Sequence, residues 1–201
     1  MAARSRVEEV LTTSGAVRGV RTTQGEIAAD VVINCAGAWA GEIRVPGAEV
    51  KVRPIKGQML ALEVPEAAPA SGRPRLTLYS HHAYVVPRSD GRIIVGTTVE
   101  DRGFDKTVEA GAVARLVAGA TKLCPALSSA RFLEAWAGLR PLGEDELPRI
   151  GPAGPRGYFL AVGHYRNGIL LTPLTAKLLA DSVAGRRGLE RAGGWRPAAG
   201  A

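Results

Sequence analysis

The sequence predicts a mixed α/β chain, with strands covered on both faces towards its two ends and an antiparallel sheet between them. Three features carry this expectation. Residues 30–37 and 158–162 are short apolar runs without alternation, as in strands buried on both sides. The second run passes through a polar glycine turn straight into a long helix. Between the two, from about Val50, short β-branched and aromatic segments are punctuated by Pro, Gly and Asp, the texture of antiparallel strands. A chain of 201 residues with 46% hydrophobic content buries a substantial core, as one domain or as two small ones.

In chain order, residues 17–22 and 27–35 read as strands joined at Thr23-Gln24-Gly25-Glu26, where glycine meets a positive φ easily. This hairpin feeds the buried run, and the small Ala36 and Gly37 then let a large group approach the backbone. Residues 52–64, 76–79, 84–87 and 92–98 follow as strands, with Ser89-Asp90-Gly91 as a hairpin turn and 65–74, rich in Ala and Pro, as a surface loop. Thr107 caps a helix whose Val113, Leu116, Val117, Ala120 and Leu123 recur at helical spacing as core, and Pro125 ends it. A strand over 131–137 leads into a loop over 138–151. The amphipathic final helix spans 168–184, with Ile169, Leu170, Pro173, Leu174, Leu178 and Leu179 apolar and Gly185 as its stop.

Composition narrows the function. The net charge of +7 comes from 26 Lys and Arg against 19 Asp and Glu, but no basic run is interleaved with aromatics, so a solvated surface is expected and no nucleic-acid partner. Cys35, in a strand, and Cys124, in a helix, form no metal-spaced or CxxC pair, which predicts a reduced, cytoplasmic protein. No apolar run approaches the ~20 residues of a membrane span, and the opening lacks a signal-peptide core. The adjacent His81 and His82, on a strand, would point to opposite faces and have no acidic or cysteine partners at ligand spacing.

The chemistry concentrates in Val162-Gly163-His164-Tyr165-Arg166-Asn167-Gly168-Ile169-Leu170. The first N–H groups of the helix have no intrahelical partner and its dipole is positive there, so an anion above Gly168 and Ile169 is stabilised, with Arg166 adding a full charge. Two further motifs are Trp136-Ala137-Gly138-Leu139-Arg140-Pro141 and Asn34-Cys35-Ala36-Gly37-Ala38-Trp39. Together the three resemble the C-terminal half of the FAD-dependent amine oxidases of the D-amino-acid oxidase superfamily, and are most similar to the glycine oxidases of thiamine biosynthesis. The similarity covers roughly residues 7–184.

The resemblance implies an α/β (α+β mixed) fold: a partial FAD-binding doubly wound domain over 1–46 and 136–185, an antiparallel-sheet substrate domain over 47–135, and a flexible tail over 186–201. It implies non-covalent FAD along the backbone of His164, Tyr165, Arg166, Asn167, Gly168, Ile169 and Leu170, with Val7 towards the adenine and the Gly37 region close to the dinucleotide. Arg140 matches the substrate-carboxylate arginine, a role suited to a guanidinium because its fork makes two parallel charge-assisted bonds. Arg166 falls at the substrate and flavin edge, and Tyr84 matches a tyrosine whose hydroxyl bonds substrate. The three are expected to converge on one pocket. Without the resemblance, both arginines read as surface cations and Tyr84 as core. Val99 stands where a relative has methionine.

The implied reaction is oxidative deamination of glycine or another small amino acid: hydride passes from Cα–H to flavin, the imine hydrolyses to keto acid and ammonia, and O₂ reoxidises the flavin to give hydrogen peroxide. No catalytic acid–base side chain is demanded. Sarcosine-oxidase-like and D-amino-acid-dehydrogenase-like enzymes are alternatives, although the cysteine that tethers flavin in sarcosine oxidases has no counterpart near Arg140. A homo-oligomer is left open. The GxGxxG turn that receives the FAD pyrophosphate is missing, since no two glycines stand two positions apart. The family pattern is thus entered partway, through a split or truncated gene or a partial gene prediction. The expectation is exposed apolar sheet edges and weak or no FAD binding by this chain alone, or else a non-catalytic piece that needs a separate ADP-binding chain.

Overall fold

The computed structural model describes residues 5–64 and 73–186. The expected loop over 65–74 lies mostly outside these residues, as does the tail beyond Arg186. In chain order the strands are β1 (Val7–Thr13), β2 (Ala16–Thr22), β3 (Gly25–Ala28), β4 (Val32–Asn34), β5 (Val52–Glu63), β6 (Leu78–Tyr79), β7 (Tyr84–Pro87), β8 (Arg92–Gly96), β9 (Arg131–Gly143), β10 (Arg149–Pro152) and β11 (Tyr158–Val162). The α-helices are α1 (Ala110–Leu123) and α2 (Gly168–Val183). Two compact units result, one made of residues 1–54 and 140–201, the other of residues 55–139.

In the discontinuous unit, β1, β2 and β3 form an antiparallel meander, while β4 lies parallel to β11, which pairs antiparallel with β10. The β1 strand escaped the sequence reading. Its signal was Ser14-Gly15, a two-residue turn with φ of 51° and 73° that joins it tightly to β2. The expected four-residue turn after β2 is shorter, because Gly25 and Glu26 already belong to β3 and the Thr22 hydroxyl closes the turn on the Gly25 carbonyl at 2.7 Å.

The run over 27–35 is not one strand covered on both faces. It breaks between β3 and β4, and among the described residues β4 pairs only with β11, with Val31 and Ile33 each 43% exposed. Cys35 follows the strand and is exposed. The opposite face of β11 and β4 is the core: Tyr158, Leu160 and Val162 pack with Val10, Val17, Ala40, Val45 and Val50. Within it Asn34 is buried, its Nδ2 donating to the Tyr158 hydroxyl at 2.9 Å and the Ala40 carbonyl at 3.1 Å, its Oδ1 accepting from the Ala36 N–H at 3.1 Å. A buried amide is tolerated because every strong partner is met.

The contiguous unit carries an antiparallel sheet in the order β6-β7-β8-β5-β9. The turn over 89–91 sets the register, with Tyr84 opposite Gly96 and Val86 opposite Ile94. Leu60, Leu62, Val85, Ile93 and Val95 build the core with Leu116 and Ala120 of α1. His81 and His82 sit in the bend between β6 and β7, not on a strand. Thr107 does not cap α1. Its N–H is taken by Asp105 Oδ1 at 2.8 Å in a local turn, and the extended residue Glu109 takes the cap position, held by its N–H to Gln58 Oε1 at 2.8 Å. Cys124 caps the helix end, one residue before the expected Pro125 stop, which opens a following 3₁₀ turn.

Gln58 and Lys56 are fully buried in β5. Gln58 Nε2 donates to Glu100 at 2.8 Å, and the Lys56 ammonium lies 3.4 Å from Asp105 and 3.8 Å from Glu100. These bonds strap the segment before α1 onto the sheet. The Thr107 hydroxyl and N–H, with the Lys56 ammonium, lower the Asp105 pKa to about 2. An unfolded aspartate titrates near 4, so the folded state binds fewer protons between these values and this contribution is present above pH ~4 and lost as pH falls towards 2. The urea midpoint of the protein should therefore drop over that window, and Asp105→Asn should flatten the drop; an unchanged acid limb in the variant would remove Asp105 from the account.

Candidate functional site

The expected loop over 138–151 does not exist in that form. β9 runs on through Gly143 and β10 begins at Arg149, so Arg140 is placed by a strand. Pro141 is accommodated there because its carbonyl, not a missing N–H, makes the link: it accepts the Tyr165 N–H at 2.8 Å. Leu142 forms an antiparallel bridge with His164. Gly143 and Gly163 meet at this point, and a Cβ on Gly163, whose φ is +78°, would stand 3.3 Å from the Leu147 carbonyl oxygen. Arg140, half-buried, and the turn that opens α2 are thus fastened by backbone within one unit.

Tyr165 holds a φ of +48°, and the exposed Arg166 places its guanidinium carbon 5.3 Å from the Tyr165 ring centroid. The Asn167 N–H returns to the His164 carbonyl at 2.9 Å. Helix α2 then starts with no side-chain cap, leaving the Gly168, Ile169 and Leu170 N–H groups without intrahelical acceptors. The expected apolar stripe is only partly inward. Leu178 is buried, but Ile169 is 93% and Leu170 79% exposed, and Leu174 is exposed too. The helix packs against β10 and β11, with Leu178 as its buried residue.

His164 is half-buried, and burial pushes its imidazole pKa down, so the ring is neutral near pH 7. Its Nε2 lies 2.9 Å from the Thr175 hydroxyl. Nothing in the sequence announced this pair, since an eleven-residue separation has no period. Val7 opens β1 opposite Thr22, in the meander rather than beside the β11–α2 turn. Gly37 begins a 3₁₀ helix with φ +56° and open space where a Cβ would point.

Tyr84 belongs to the other unit. Its hydroxyl is 3.8 Å from the Met59 sulfur, and its ring lies over Gly96, where a Cβ would come within 2.5 Å of the hydroxyl oxygen. The hairpin centred on Asp90 makes this pairing readable from sequence, although it was not read. Gly96→Ala should displace the ring and cost roughly 1–3 kcal/mol of overpacking. In a Tyr84→Ala background the same change should cost much less, and equal urea-midpoint losses in both backgrounds would refute the contact. Among the described residues no group of three or more His, Cys, Asp or Glu is placed to hold a metal, and no helix is long and apolar enough to cross a membrane.

The fold is similar to that of solved amino-acid oxidases. The structure matches glycine oxidase from Geobacillus kaustophilus with a TM-score of 0.83 at 36% identity, over 92% of this chain and 49% of that one. The chain belongs to the FAD dependent oxidoreductase family, whose model matches residues 1–182. It is 42% identical over 178 residues to a glycine oxidase of Pseudomonas putida, covering 85% of this chain and 46% of the relative. It is 43% identical over 177 residues to a bifunctional protein ThiO/ThiG of Trichormus variabilis, covering 88% and 26% respectively. The chain spans about half the length of the glycine oxidases it matches.

Proposed function

We propose that this chain forms part of an FAD-dependent oxidase of glycine or another small amino acid, acting in the cytoplasm in thiamine biosynthesis. The observation that supports the reading is the backbone clasp between the Arg140 strand and the turn before α2, because it ties the strand that carries Arg140 to the turn that carries Arg166. The orphan N–H groups of Gly168, Ile169 and Leu170 fit the electronegative edge of an isoalloxazine, and Arg166 adds positive charge. The backbone of residues 164–170 holds the ring system, and Val7 lies on the adenine side. FAD is held non-covalently, in keeping with cysteines only at positions 35 and 124. When bound, the flavin supplies the hydride acceptor and O₂ takes the electrons onward.

The chain's own residues bind and orient. Arg140 takes the substrate carboxylate in a bidentate pair, Arg166 adds charge at the same end, and the Tyr84 hydroxyl hydrogen-bonds substrate. The discontinuous unit carries the flavin contacts and both arginines, and the contiguous unit carries Tyr84. Purified protein mixed with FAD and glycine tests this: yellow absorbance retained through gel filtration of a full-length form, with hydrogen peroxide released on adding glycine, supports the reading. A flavin-loaded form inert towards glycine and other small amino acids sinks it.

A further inference from the structure

The first turn of α2 lacks three ordinary anchors. No side chain caps it, so its leading N–H groups are held by nothing local. Ile169, Leu170 and Leu174 are exposed, so side-chain packing does not fix its direction. Pro173 has no N–H to give the Ile169 carbonyl, which removes one bond of the helical ladder between the first and second turns. The turn before it also holds Tyr165 at φ +48°, a conformation that persists only when the surroundings over-determine it.

One side chain spans this weak stretch. The His164 ring lies 2.9 Å from Thr175, past Pro173 and in the second turn of the helix. Thr172 and Thr121 spend their hydroxyls on carbonyls of their own helices, at 2.7 Å and 3.1 Å, as helical threonines commonly do. The Thr175 hydroxyl instead meets the imidazole. His164 is at the same time bridged to Leu142, and the next residue donates to Pro141.

We infer that His164 and Thr175 are positioning residues: their hydrogen bond sets the direction of the α2 N-terminus relative to the strand that carries Arg140. The consequence for substrate binding rests on the function proposed above. The clasp itself does not. Because the imidazole is neutral, either Nε2–H donates to the hydroxyl or Nε2 accepts from it, and both tautomers close the link.

Thr175→Val removes the hydroxyl while keeping the β-branched shape, and Thr175→Ser keeps the hydroxyl. In the free chain, amide exchange of Tyr165 and Leu171, which bond Pro141 and Asn167, should quicken about tenfold in the valine variant and return to the native rate in the serine variant. Unchanged exchange in Thr175→Val overturns the inference, and so does an equal acceleration along all of β11, which would mean global loss of stability. In a flavin-loaded full-length form the KM for glycine should rise about tenfold with kcat changed less than twofold, again rescued by serine. Local acceleration without that split overturns the link to substrate binding. Local acceleration and rescue in a protein that neither retains FAD nor oxidises amino acids would support the clasp and refute the flavin reading.

Discussion

Arg140→Lys in a flavin-loaded form should lower kcat/KM for a small amino acid by about one to two decades, mainly through KM, from loss of a bidentate charge-assisted contact worth on the order of 1.5–3 kcal/mol. Lysine keeps the charge but not the fork, so the variant separates geometry from electrostatics. The control is Arg88→Lys, an exposed arginine beside the 89–91 turn. It should change little. Steady-state kinetics on both variants decide the matter: equally mild effects would end the carboxylate-clamp assignment and with it the substrate class.

The second large effect is on stability. Asn34→Leu keeps the branched shape, though with a larger side chain, but strands the Tyr158 hydroxyl, the Ala40 carbonyl and the Ala36 N–H in or beside a closed core. Each buried unsatisfied group costs about 1–3 kcal/mol, and partial relaxation should leave a net loss on the order of 3 kcal/mol. For a chain of this size that corresponds to a Tm lower by roughly 6–12 °C. Pairing it with Tyr158→Phe should recover part of the loss, since one orphan disappears; purely additive losses in thermal melts would show that the hydroxyl is not the partner that matters.

Where one physical signal dominated, the sequence was transparent. Tyr84–Pro87 and Tyr158–Val162 are strands with the expected bounds, and α2 begins at Gly168 as its glycine turn announced. Hairpin chemistry at 89–91 fixed the order of β7 and β8. Failures came where local cues lost to pairing. Gly138 and Pro141 read as loop residues, yet β9 continues to Gly143, and the Pro141 carbonyl accepts the Tyr165 N–H. Val31 and Ile33 look buried in one dimension, and only the sheet order reveals that β4 has a single neighbour among the described residues. The arginines were nameable as types, but the clasp that relates them depends on contacts between distant segments, and the His164–Thr175 link has no sequence period at all.

The pairing of β4 with β11 also orders events in time. Residues 55–139 are contiguous, so that unit has its sheet and α1 available once β9 has been synthesised to Gly143. Asn34 must wait for Tyr158, 124 residues later, which at cellular elongation rates is about 6–25 s. Through that interval the β1–β3 meander and the apolar 31–34 segment are present without the strand that completes their core. Synonymous changes that slow translation between residues 140 and 158 should thus lower soluble yield more than equal delays between 5 and 23, before the 31–34 segment exists, although neither alters a single side chain.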